Sequence, residues 1–176
     1  PRLDPMTADR PLTLRSARTQ DVPVIQALVE PLARERVLLQ KEAVAYYEAI
    51  QEFVVAEEAD GTLAGFGALH VMWQDIAEVR TLAVSEAHRG AGVGHLVIEE
   101  LLDRARAVGV ERVFCLTFEV EFFRRHGFEV MADQSAVDPE VYAELLRSTD
   151  EGVAEFLDLA RVKPNTLGNT RMIRRL

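Results

Sequence analysis

The sequence predicts one α/β domain, a mixed central sheet flanked by helices. Apolar residues alternate with a period of two in some segments and recur at helical spacing in others, and the two kinds of segment interleave. A long amphipathic helix stands between two apolar strands, the pattern of a crossover connection, which leaves the joined strands parallel. The chain has 176 residues, 48% of them hydrophobic, which suffices for one substantial core and argues against several domains. Residues 12–176 are assigned to that domain. The polar, Pro-containing residues 1–11 read as a mobile tail or an expression remnant.

Leu12 to Arg18 reads as a short strand. Thr19 or Asp21 is placed to cap a helix whose Val22, Ile25, Leu28, Val29 and Leu32 form an apolar stripe, and Pro23 suits its first turn. A second helix covers about Glu42 to Ile50. Phe53–Glu57 and Thr62–Val71 flank Asp60-Gly61 as a hairpin, and Ile76–Val84 continues the antiparallel meander. After a glycine-rich turn, Val97, Ile98, Leu101, Leu102 and Ala105 line one face of a helix while Glu99, Glu100, Asp103, Arg104 and Arg106 face out. That helix is expected to cover the sheet. Val113–Thr117 is a compact apolar strand, and Glu121–His126 a short helix ended by Gly127.

With 29 acidic against 20 basic residues and a net charge of −9, nonspecific binding of nucleic acid or anionic membranes is disfavoured. Small molecules are the expected partners. The longest apolar stretch, Leu63–Trp73, contains His70 and falls short of the roughly 20 residues a membrane span needs. The first residues lack a signal peptide's apolar core, and the single cysteine, Cys115, has no partner in the chain, so a cytoplasmic location is expected. Cys115 reads as packing in an apolar strand rather than as an acyl carrier. His70, His88, His95 and His126 show no pair at metal-ligand spacing, and no metal is expected.

From Glu78 to Gly94 the chain reads EVRTLAVSEAHRGAGVG, an alternating strand, a glycine-rich turn and a helix start. Arg89, Gly90, Ala91, Gly92, Val93 and Gly94 present successive backbone N–H groups on residues that are mostly small, and the helix aims its positive end at the same place. This suits a phosphate. A plain strand-to-helix turn would use the same glycines. A dinucleotide fingerprint fails because Val97 or His95 stands where its third glycine is required, and the Gly-Lys-Ser/Thr of a P-loop is absent. His95, at the helix start, is placed either to touch a ligand or to lie on the surface.

The run Arg89-x-x-Gly92-x-Gly94 resembles the acetyl-CoA signature of the GCN5-related N-acetyltransferases (GNAT). The order of strands and helices is similar to that family's over most of the chain, and Phe123-Arg124-Arg125-His126-Gly127-Phe128 resembles its F/Y-x-x-x-G-F. Within the family, the chain is similar to the acetyltransferase domain of bacterial N-acetylglutamate synthases. Pro31-Leu32, Val37-Leu38-Leu39-Gln40-Lys41, Ala77-Glu78-Val79 and Leu116-Thr117 carry that likeness, and the C-terminal LARVKPNTLGNTRMIRRL resembles the short stand-alone actinobacterial type. The resemblance implies the GNAT fold, acetyl-CoA as cosubstrate without a metal, and acetyl transfer to the α-amino group of L-glutamate, the first step of arginine biosynthesis. It implies cofactor contacts from Leu82, Ala83 and Val84, from the loop Arg89–Gly94 with His95, and from Thr117, Phe122 and Phe123. The sequence holds no counterpart of the long synthases' amino-acid-kinase domain, so regulation by arginine does not follow. Oligomeric state is left open, a homodimer included.

Attack on a thioester needs a neutral amine, and a nearby carboxylate can take the ammonium's proton. Glu78 stands where many members of the family carry that base, and it is the catalytic candidate. Strict alternation would put Glu78, Arg80, Leu82 and Val84 on one face, with a plain Glu78–Arg80 surface pair as the alternative. Glutamate's two carboxylates call for basic residues, of which Lys41 and Arg80 come first and Lys163 and Arg171 follow. Phe123 occupies the position of a tyrosine that in many relatives protonates the leaving thiolate, and it has no proton to give. Phe122 and Phe123 either pack against the pantetheine arm or belong to the core. The rival readings are acetylation of another small amine or a protein N-terminus, a noncatalytic acyl-CoA sensor, and a partner module without cofactor. Glu78 argues against the sensor, and the glycine loop against the module.

Overall fold

The computed structural model describes residues 11–35, 38, 41–131, 137–157 and 168–176. Strand β1 (Thr13–Ser16) leads through a 3-10 turn at Thr19–Asp21 into α1 (Val22–Arg34), with Pro23 in its first turn, where no N–H is needed. The stripe foreseen for this helix faces inward, Val22, Ile25 and Val29 being buried. Helix α2 (Ala43–Glu48) is followed by β2 (Phe53–Glu57), β3 (Leu63–Trp73) and β4 (Ile76–Val84). Asp60 Oδ1 accepts from Thr62 N (2.9 Å) in the hairpin turn, where Gly61 has a φ of +88°. Helix α3 (Val93–Val108) then crosses to β5 (Arg112–Thr117), which runs parallel to β4, and α4 (Val120–Arg125) follows.

Four further elements are absent from the sequence reading: β6 (Glu129–Val130), α5 (Pro139–Leu145), α6 (Glu151–Phe156) and β7 (Thr170–Arg175). Asp138 before Pro139 and Asp150 before Glu151 are helix-start signals that would have revealed α5 and α6. Strand β7 hides its alternation behind Arg171, Arg174 and Arg175. The sheet order is β1-β2-β3-β4-β5-β7-β6, antiparallel throughout except at β4–β5.

One face of the sheet carries a continuous core in which Val97, Ile98, Leu101 and Leu102 of α3 pack on Val54, Ala77, Val79, Cys115 and Met172. Fully burying each such aliphatic side chain contributes roughly 1.5–3 kcal/mol. Gly67 lets α3 approach closely, since a Cβ there would stand 2.9 Å from Leu101 Cδ1. The opposite face is divided. Helices α1 and α2 cover Phe53, Val55, Phe66 and Ala68, whereas α5 and α6 bring Leu145, Val153 and Phe156 onto Ile76 and Phe114. The seam between the two halves falls on β4.

That strand does not alternate strictly. Phe66 pairs with Ala83 and Ala68 with Arg80, so Thr81 and Leu82 together oppose Gly67 in a β-bulge. Thr81 has a φ of +53°, an unusual conformation for a β-branched residue. The extra residue shifts the alternation by one. Leu82 and Val84 therefore pack on the α3 side, and Ala83 joins the side of Glu78 and Arg80, correcting the expectation that Glu78, Arg80, Leu82 and Val84 share a face.

Candidate active site

The bulge sits where β4 parts from β5. Their pairing covers only Ile76–Glu78 against Arg112–Phe114, although β4 continues to Val84 and β5 to Thr117. Beyond Glu78 the β5-facing edge of β4 pairs with no described strand, and backbone groups from Val79 to Val84 line a gap. An extended chain can add hydrogen bonds along such an edge. Thr117 ends β5 at the other lip, and its Oγ1 accepts from Glu119 N (2.8 Å) in the turn to α4.

After β4, a 3-10 turn at Glu86–His88 leads into the glycine loop. Gly90 and Gly92 have φ values of +79° and +78°, and a Cβ on either would meet nothing within 4 Å, so the loop's outer side is open. Arg89 N and Ala91 N donate to Glu86 O (3.3 Å) and His88 O (3.2 Å), which corrects the expectation of an unbroken run of available amides. The amides of Gly90, Gly92, Val93, Gly94 and His95 have no backbone partner among the described residues. Four of them belong to the N-cap and first turn of α3, where the helix dipole adds positive potential.

Phe122 lies over this helix start, its Cε2 3.2 Å from where a Cβ on Gly94 would be. The His95 ring stacks on Phe122 at 5.1 Å, its Nδ1 is 2.6 Å from His126 Nε2, and His126 Nδ1 is 2.6 Å from Glu99 Oε1. Sequence spacing concealed this histidine pair, which α4 brings together. No group of three side chains able to hold a metal occurs among the described residues. Phe123 belongs to the core, edge-on to Phe128 at 5.1 Å.

Across the sheet, charged groups gather in the seam. Glu78 is only 4% exposed. Arg80 Nε donates to Glu78 Oε2 (2.9 Å) and Arg80 Nη2 reaches the same oxygen, while Nη1 and Nη2 donate to Asp150 Oδ2 and Oδ1 (2.8 Å each). The Glu78–Arg80 pair exists, but it is buried and tied to α6 rather than lying on the surface. A Cβ on Gly152 would stand 2.0 Å from Glu78 Oε2, so the first turn of α6 rests directly on this carboxylate. His70 Nδ1 meets Glu52 Oε1 at 2.7 Å, and its Nε2 is 3.8 Å from Asp150 Oδ2. Lys41 faces the same cluster with no hydrogen-bond partner among the described residues.

Burial pushes the Glu78 carboxyl above its ordinary range, and Arg80 opposes this without overcoming it. Such a carboxylate is a better base near neutral pH than an exposed one. Burial also works against the charge of Asp150, but there the Arg80 guanidinium wins and holds the carboxyl well below the usual range. Lys41 is pushed down by burial and then by the charge of Arg80. Glu155 is buried, its Oε1 lacks a partner among the described residues, and burial followed by the charge of Glu78 pushes it up to about 8. The buried Cys115 thiol is pushed well up by burial and then by Glu78, which leaves little thiolate to carry an acyl group.

Of the remaining candidates, Arg171 clasps the end of α6, its Nε donating to Glu155 O (3.1 Å) and its Nη2 to Phe156 O. Lys163 lies outside the described residues. Asp150, Gly152, Glu155, His70 and Glu52 are members of the cluster that sequence reasoning missed. The helix-cap position of Asp150 was the one local signal among them.

The chain matches the sequence profile of the Acetyltransferase (GNAT) family over residues 24–128. It is 53% identical to the amino-acid acetyltransferase of Mycobacterium tuberculosis over 162 residues, 91% of this chain and 92% of that protein. Among solved structures it is similar to the crystal structure of Rv2747 from Mycobacterium tuberculosis in complex with CoA and NLQ. There the TM-score is 0.89 and the identity 52%, covering 93% of this chain and 99% of that one. It is also similar to N-acetylglutamate synthase from Neisseria gonorrhoeae complexed with coenzyme A and N-acetyl-glutamate, with a TM-score of 0.76 and 27% identity over 96% of this chain. The chain spans 36% of that longer synthase.

Proposed function

Because the chain belongs to the acetyltransferase (GNAT) family, we propose that it transfers the acetyl group of acetyl-CoA to the α-amino group of L-glutamate. The observation that carries this reading is the 53% identity to an amino-acid acetyltransferase across nearly the full length of both proteins. The synthase complexed with N-acetyl-glutamate supports glutamate in particular.

The residues present fit acetyl-CoA. The unpaired edge of β4 at Leu82, Ala83 and Val84 suits the amide-bearing pantetheine arm, with Thr117 on the opposite lip. The open amides from Gly92 to His95 suit the pyrophosphate, Arg89 adds charge beside them, and Phe122 covers the helix start. Glu78 takes the proton of the acceptor's ammonium, and the neutral amine attacks the thioester carbonyl. A C–N bond forms, the C–S bond breaks, the attacking nitrogen releases its second proton to solvent, and the thiolate takes a proton from solvent. A thiol with an ordinary pKa of about 8.5 leaves without a dedicated acid near neutral pH, which accommodates Phe123 in place of a tyrosine. Lys41, which has no hydrogen-bond partner among the described residues, and Arg80 are assigned to the acceptor's carboxylates.

The test is turnover of a panel of amino acids and amines with acetyl-CoA, followed by free thiol release. Glutamate is expected to surpass glutamine and amines without a side-chain carboxylate. Equal turnover of neutral amines or peptides overturns the glutamate assignment while leaving the family intact.

A further inference from the structure

We propose that Asp150 is an internal competitor for the acceptor's carboxylate: it occupies the face of Arg80 that the acceptor needs, and α6 opens when a substrate carboxylate displaces it. This rests on the reading of the Glu78–Arg80 cluster as the acceptor end of an acetyltransferase site.

A guanidinium offers two forked edges for bidentate recognition of a carboxylate. In Arg80 the edge made by Nε and Nη2 holds Glu78, and the edge made by Nη1 and Nη2 holds Asp150. No forked edge remains. Of the two occupants, the Asp150 side chain is 27% exposed and that of Glu78 is 6% exposed, so Asp150 is the one an incoming carboxylate reaches. The exchange replaces one carboxylate by another and keeps the charge around Arg80 constant, whereas an amine without a carboxylate would leave Arg80 stripped of that partner.

Asp150 is also the N-cap of α6, accepting from Val153 N (3.1 Å), so its displacement loosens the first turn of that helix. The same turn covers the base. Gly152 rests on Glu78 Oε2 with no room for a Cβ, and lifting it exposes the carboxylate that must take the ammonium's proton. Glu155 further along α6 is buried, its Oε1 has no partner among the described residues, and it regains water when the helix moves, which favours opening. Competition for Arg80 and exposure of Glu78 are therefore one motion, of the kind that couples binding to assembly of a site.

Two variants act on different atoms of the same contact. Asp150→Asn keeps a residue that caps as well and removes the competing charge; Gly152→Ala inserts a methyl against the buried Glu78 and Arg80. Both are expected to lower the KM for glutamate by about tenfold with little change in acetyl-CoA affinity, whereas damage to a merely structural contact raises KM. In the unaltered protein with CoA bound, adding glutarate should speed amide hydrogen exchange across Asp150–Leu157, and a carboxylate-free amine should not. An unchanged or raised KM in both variants, or exchange that ignores glutarate, overturns the proposal. If the unaltered protein fails to acetylate glutamate, the function assigned above falls, and the exchange experiment still decides whether a carboxylate opens α6.

Discussion

The glycine loop and the charged seam lie on either side of the same strand, and they are built in opposite ways. The loop draws its donors from consecutive residues, Gly90 to His95, and leaves most of them without a protein partner. The seam draws Lys41, His70, Glu78, Arg80, Asp150 and Glu155 from four separate segments, and both forked edges of Arg80 there are already held by protein carboxylates. The proposed cofactor end is thus preformed and open, while the proposed acceptor end is occupied by the chain itself. Binding at the first adds contacts, and binding at the second exchanges them.

The largest expected effect falls on the seam. Glu78→Gln preserves shape and removes proton acceptance, so turnover should fall by roughly 10²–10⁴-fold with acetyl-CoA affinity almost unchanged. In the proposed mechanism the ionised carboxylate is the active form, and burial raises its pKa, so kcat/KM should climb with pH through that value, and the variant should lose this acidic limb. Full activity in Glu78→Gln would reduce the residue to a structural partner of Arg80. Arg80→Met should act on stability as much as on binding, because it leaves Glu78 and Asp150 as uncompensated carboxylates. Removing one partner of a buried pair costs about 3–5 kcal/mol, and a domain of this size loses roughly 2–4 °C of Tm per kcal/mol, a shift that thermal melts would read directly.

Lys41→Met separates binding from stability. Lys41 has no hydrogen-bond partner among the described residues, so the melting temperature should hold while glutamate affinity drops by roughly 10- to 150-fold, the equivalent of about 1.5–3 kcal/mol. Isothermal titration with glutamate checks it, and unaltered affinity would remove Lys41 from the acceptor site.

A smaller effect probes the loop. Gly92 and Gly109 cap opposite ends of α3 with φ values of +78° and +98°, and a Cβ on either meets nothing within 4 Å. Alanine at either should destabilise by about 1 kcal/mol through backbone strain alone. Only Gly92→Ala should also weaken acetyl-CoA, by about tenfold; equal affinities in the two variants would detach the loop from the cofactor.

The smallest is a change of slope. Glu155 holds its proton up to about pH 8 in the folded protein, against an ordinary value of 4.5, so the native state binds more protons than the unfolded one between those values. Stability contributed by this group is therefore present at low pH and lost as pH rises through that window. Glu155→Gln should flatten the fall in Tm between pH 5 and about 8, and an identical slope would mean that Glu155 is ionised in the folded state.

Apolar patterning made β2, β4 and α3 legible with bounds close to those found, because each is held against a core along most of its length. It failed for β7, whose Arg171 turns to the carbonyls of α6 instead of to water, and whose alternation is therefore written in arginines. Glu78 was legible as a candidate base from a family likeness. Its burial under Gly152 was not.

By itself the sequence determined the α/β class, the parallel crossover and the glycine loop, since each depends on residues near one another in the chain, where local sterics and hydrogen bonding decide the outcome. Tertiary structure alone decided that Thr81 would adopt a left-handed conformation and turn Leu82 and Val84 away from Glu78. It also decided that Arg80 would be shared between a neighbour two residues away and one seventy residues away. Both outcomes follow from packing. A strand wedged between two helical layers takes the register that buries most apolar surface, and a buried guanidinium takes whichever carboxylates that register brings within reach.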